Sequence, residues 1–98
     1  MKKLPPKFVL NVFGSRVPVK IVKDLTLNSG ALGYYFKKEI AIDAGQSSDD
    51  MCKTLIHECT HALFDRVGLN QAISREVEEI VAENFANLIF ENFKVELK

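Results

Sequence analysis

No stretch of this 98-residue sequence is apolar for long enough to cross a bilayer. The opening MKKLPPKFVLNVFG carries two prolines and then a short, interrupted apolar run, not the continuous core of a secretory signal. The expectation is a soluble protein of the cytoplasm. Charge of either sign is not in excess, with 13 basic and 13 acidic residues and a formal net charge of +0. That balance leaves no electrostatic footprint for nucleic acid or an anionic membrane. Repeats, low-complexity segments and linkers are missing too, so residues 1–98 are read as one domain with a modest core. Cysteine is scarce: Cys52 and Cys59 are the two present, seven residues apart on what reads as a single helix. A rise of about 1.5 Å per residue puts their backbones about 10 Å apart, too far for a disulfide. Free thiols in a reducing compartment follow.

What is present divides into two halves of different period. Lys7 to Phe13 is rich in β-branched and aromatic residues, Gly14-Ser15 is turn chemistry, and Arg16 to Val22 alternates apolar and polar. Pro18 cannot donate to a ladder, which predicts an edge position or a bulge for this second strand. Asp24 to Gly30 reads as a connection with a possible helical turn. Leu32 to Phe36 and Glu39 to Asp43 then form a second hairpin around Lys37-Lys38.

From Ser47 the spacing becomes helical. Ser47 or Ser48 can cap a helix that opens with Asp49 and Asp50, where negative charge suits the dipole. Met51, Leu55, Cys59, Ala62 and Leu63 recur on one side, and Gly68 is a natural C-cap. After a short loop Ser74 caps a second helix, with Val77, Val81, Phe85, Leu88 and Ile89 on one face. The fold class is α+β: a small antiparallel sheet of two hairpins followed by two packed helices.

The only two histidines fall inside the first of these helices, in TLIHECTHALF. At about 100° per residue His57 and His61 project within about 40° of each other, one turn apart, so both imidazoles can chelate one ion. Nitrogen ligation of this kind suits zinc. Glu58 points about 100° from His57, beside such an ion, where a carboxylate can move a proton between water and a leaving group. Zinc lowers the pKa of a bound water to about 7. The pattern is H-E-x-x-H with its mechanism attached. Both cysteines project about 200° to 220° from His57, toward the core. An active zinc site needs a third protein ligand. Glu76, Glu78, Glu79 and Glu83 open the second helix; the helical wheel slightly favours Glu78, which lies within the apolar band, over Glu79 at its margin.

HECTH at 57–61 and EEIVAENFANL at 78–88 resemble the gluzincin type of zinc metallopeptidase, and more narrowly the small HExxH proteins of phages and bacteria related to the ImmA/IrrE group. In that group a strand pair precedes the HExxH helix, and the next helix supplies a glutamate ahead of an FA-like element. Aligning Phe85-Ala86 with that element implies a minimal zincin-like fold with one Zn²⁺ held by His57, His61 and Glu79. Glu83 then supports a histidine, and Glu58 is the catalytic residue. The resemblance covers roughly residues 33–92. It further implies a peptide or protein substrate paired along the strand at 32–36 or 39–43 and the host cytoplasm for a phage-encoded chain, while the shallow cleft expected of so small a chain points to a partner protein for specificity. Tyr34, Tyr35 or Arg66 is the candidate oxyanion donor. The DNA-binding domain and long C-terminal extension of the larger ImmA/IrrE proteins have no counterpart here, so no regulatory role is carried over. The alternative function is a non-catalytic, zinc-stabilised interaction module.

Overall fold

A computed structural model describes residues 3–98. Strands β1 (Lys7–Val12) and β2 (Ser15–Val22) form the first hairpin, with Phe13 and Gly14 both at positive φ in its turn. A five-residue helix, α1 (Leu25–Ser29), leads to the second hairpin, β3 (Gly33–Phe36) and β4 (Glu39–Asp43). Helix α2 (Ser48–Val67) follows, then a single 3₁₀ turn and helix α3 (Arg75–Asn92). The fold is α+β, as the change of period predicts. No helix among the described residues is long and apolar enough to cross a membrane.

The sheet departs from two purely antiparallel hairpins. Its order is β1-β2-β4-β3, and the hairpins join through a parallel β2–β4 pair, Val19 opposite Ile40 to Val22 opposite Asp43. Burial explains the arrangement. Ile40, Ala41 and Ile42 are all fully buried, so β4 is apolar on both faces and takes an interior position. Strand β3 is therefore pushed to the edge. Local pattern reveals which neighbours form hairpins, but not which strands meet across the connection.

Pro18 is also not where its chemistry predicts, because β2 lies inside the sheet. The Ile21 N–H donates toward β1, to the Pro6 carbonyl, so strand alternation turns the Pro18 nitrogen toward β4. The β2–β4 ladder starts only at Val19. The missing donor falls beyond its end and costs nothing.

The core lies between the sheet and α2. Val17, Val19, Ile40 and Ile42 on the inner face meet Met51, Leu55 and Ala62 of α2, with Leu4 closing one end. Cys52 is fully buried and Cys59 packs against this cluster, and both thiols are free, as their position on the helix predicts. Ser47 caps α2 by accepting from the Asp50 N–H, Ser74 caps α3 by accepting from Val77, and Gly68 ends α2 at φ 77°.

Helix α3 does not bury the apolar face that periodicity assigns it. Val77, Val81, Phe85 and Leu88 are exposed, while Glu78, Ala82 and Ala86 are buried. The helix is rotated so that alanines allow close approach to α2 and carboxylates reach the histidines.

Candidate metal centre

Three side chains from two helices converge on one point. His57 and His61 stand one turn apart on α2, their Nε2 atoms 3.3 Å from each other. The Glu79 carboxylate on α3 lies 3.3 Å from His57 Nε2 and 2.9 Å from His61 Nε2. These three residues can hold a metal ion, since one ligand atom from each lies within 4.8 Å of the others. The spacing fits a small tetrahedral cation: bonds of about 2.0–2.1 Å at tetrahedral angles put neighbouring ligand atoms about 3.3 Å apart.

The other ring nitrogens make the same point. His57 Nδ1 lies 2.9 Å from Glu83, and His61 Nδ1 lies 3.4 Å from Glu78. His57 Nδ1 hydrogen-bonds Glu83, and a proton on each Nδ1, facing its carboxylate, leaves both Nε2 lone pairs toward each other and toward Glu79. Converging acceptors need positive charge between them, from ring protons or from a metal ion. A second carboxylate on the far nitrogen is also how proteins orient metal-ligating histidines.

Three of the four glutamates that open α3 thus take different places around the histidines, and Glu76 is exposed. Glu79 joins the cluster, while Glu83 and Glu78 each stand behind one histidine. Glu78, which the wheel favours, is buried as that reading expects, but against His61 Nδ1. Glu58 points elsewhere on α2 and is 7% exposed. Burial raises its carboxyl above the ordinary value, Glu79 adds to this, and His57, His61 and Arg75 oppose it.

A groove passes over the cluster along the free side of β3. Its two arms, of about 570 and 600 Å³, share Gly33, His57 and Glu58 in their walls. Gly33 is the close-approach point, since a Cβ there would stand 2.6 Å from Thr54 Cγ2 and 3.0 Å from the Ala41 carbonyl.

Comparison of the chain with protein-family profiles, curated proteins and solved structures gives no match. The resemblance drawn from HECTH and EEIVAENFANL stands on those residues alone.

Of the three candidate oxyanion donors, Tyr34 and Tyr35 line the same arm of the groove as His57, Glu58 and His61, and Arg66 does not. The Tyr35 hydroxyl donates to Asp65 at 2.6 Å, and burial together with that carboxylate pushes it up to about 12. Tyr34 lies on the opposite face of β3 from Gly33 and Tyr35, by strand alternation. Arg66 donates from Nε to the Phe13 carbonyl at 3.0 Å, tying α2 to the first hairpin. Arg75, which periodicity does not single out, also lines this arm, with Glu58, His61 and Glu79. Its only sequence signal is a cation in the first turn of a helix otherwise opened by acids.

Proposed function

We propose that this chain is a zinc-dependent metallopeptidase of the HExxH type, with His57, His61 and Glu79 as ligands and Glu58 as general base and acid. The observation that carries the reading is the convergence of both Nε2 atoms and the Glu79 carboxylate, with each Nδ1 backed by a further carboxylate. Two imidazoles and one carboxylate form a donor set that suits zinc and leaves a tetrahedral site one open position. A zinc ion held there supplies positive charge that acidifies water and polarises a carbonyl.

The chain's own residues do the rest. The free edge of β3 offers main-chain donors and acceptors to an extended peptide, and the groove along it is open at both ends of the cluster. Glu58 lines both arms, at the place a scissile bond would cross. Its carboxylate takes one proton from the attacking water as the C–O bond forms. It returns that proton to the amide nitrogen as the C–N bond breaks, so peptide and water become acid and amine. Burial, which raises Glu58, helps it hold the proton between these two steps.

The test is metal content together with hydrolysis. Wild-type protein purified without a histidine tag is expected to carry about one zinc per chain and to cleave an unstructured protein such as casein. Glu58→Gln is expected to keep the metal and lose cleavage, and Glu79→Ala to lose both. Undiminished cleavage by Glu58→Gln would falsify the mechanism.

One observation favours a second reading, a zinc-stabilised interaction module. Helix α3 meets α2 through two alanines and the site's carboxylates, so a metal ion there would itself bind the helices together. Chelation followed by thermal melting separates the two readings: unfolding on zinc removal supports the module, and a folded but inactive protein supports the enzyme.

A further inference from the structure

The two arms of the groove differ in charge. The arm reached past Thr54 presents one cation, Lys53, against the carboxylates of Asp50 and Glu83. The arm reached past His61 is walled by Lys37, Lys38 and Arg75. Its carboxylates are engaged: Glu79 with both imidazoles, Glu78 with His61, and Asp65 as acceptor from Tyr35 and Asn70. Glu58, shared by both arms, feels the charge of Arg75. Among the described residues, none of the three cations lies within 4.0 Å of a carboxylate.

The backbone points the same way. Lys37 and Lys38 form the β3–β4 turn at φ 50° and 63°. Positive φ at both central residues is the geometry that favours Asn-Gly, and a side chain there costs about 1 kcal/mol or more per residue. Two lysines therefore sit where local conformation disfavours them, at the mouth of one arm.

We propose that this arm takes an acidic side chain of the peptide, with Lys37, Lys38 and Arg75 as the residues that select it. The proposal rests on the peptidase reading of the site. The scissile bond lies beside Gly33, whose Cβ position is 3.6 Å from Glu58 Cγ. Lys37 and Lys38 follow four and five residues later, and a peptide paired along β3 has the same rise of about 3.3 Å per residue, so the acidic side chain falls roughly four or five residues from the cleaved bond.

The experiment uses end-blocked Ala/Ser decapeptides bearing a neutral fluorophore, with one glutamate moved through every position and a matching glutamine series. Binding is read by fluorescence anisotropy on zinc-loaded Glu58→Gln protein, and hydrolysis by wild type in parallel. Glutamate peptides are expected to bind about fivefold more tightly at one or two neighbouring positions, an effect of the size that exposed charge pairing gives. The preference is expected to fall within about twofold in Lys37→Asn/Lys38→Gly, which suits the turn and keeps the fold, and to weaken in Arg75→Gln. Equal affinity of the two series at every position, or a preference that survives both variants, overturns the acidic subsite. Equal cleavage of both series would overturn it while leaving the peptidase standing. A glutamate preference in binding with no cleavage of any peptide would do the reverse.

Discussion

Gly33→Ala sets two opposed effects against each other at the point where β3 crosses α2. Replacing a strand glycine by alanine ordinarily stabilises by about 0.4–1 kcal/mol, because the unfolded chain has fewer states to lose. Here the new Cβ would stand 2.6 Å from Thr54 Cγ2 and 3.0 Å from the Ala41 carbonyl. Carbon atoms rest about 3.5–4.0 Å apart, so roughly 1 Å must be found. The Ala41 carbonyl belongs to interior strand β4 and cannot yield. Thr54 cannot turn freely either, since its hydroxyl donates to Gln46 at 2.9 Å and its branched Cβ is stiff. Overpacking of this kind costs about 1–3 kcal/mol. The steric term wins, leaving a net loss of about 1–2 kcal/mol and a Tm lowered by about 4–16 °C for a domain of this size. Scanning calorimetry reads the shift. Thr54→Ser removes the offending methyl while keeping the hydroxyl, so the double variant is expected to recover most of the loss. A Gly33→Ala protein that melts with wild type, or a loss that Thr54→Ser leaves untouched, would refute the packing account.

Removing the carboxylates behind the histidines should weaken zinc without abolishing it: Glu83→Ala near the lower end of about 10–100-fold, because the Glu83 side chain is 59% exposed and water can replace it, and Glu78→Ala near the upper end, because Glu78 is only 11% exposed. Titration against a competing chelator checks the order, and an intact zinc affinity in Glu78→Ala would contradict it. Burial raises both thiols, Cys59 to about 12, so neither should react with iodoacetamide at pH 8 until the protein is denatured; rapid native labelling of both would count against the core position. Asp43 accepts from Thr26 and from the Gly45 N–H, which holds its carboxyl below the ordinary value. Its stabilising effect is therefore complete above the unfolded value and is lost as pH falls through the lower folded one. Asp43→Asn should lower stability at neutral pH and flatten the decline in acid, as urea melts at several pH values would show.

How much of this was legible beforehand follows the range of the interactions. Ser47, Gly68 and Ser74 act on backbone groups within three or four residues, and both helix starts and the end of α2 lie where those residues predict. Each hairpin closes over a two-residue turn; Lys37-Lys38 is the one the sequence indicates, whereas the first is Phe13-Gly14, one residue before the expected Gly14-Ser15. The pairing of His57 with His61 is set by helical pitch alone, as is the turn of Cys52 and Cys59 toward the core.

What sequence by itself determined, then, is everything that one element's geometry imposes: the β-to-α change of period, the caps, and two imidazoles one turn apart. Tertiary structure decided the rest. The interior place of β2 depends on Val19 meeting Ile40 across a connection no local pattern describes. The choice among Glu78, Glu79 and Glu83 depends on the rotation of α3, and hydrophobic periodicity misjudges that rotation because Ala82 and Ala86, not Val81 and Phe85, form the contact. A helix settles where packing and polar contacts together are best satisfied. Here close approach through small residues brings three carboxylates to two histidines at the cost of leaving larger apolar side chains exposed, a balance that only the assembled chain can strike.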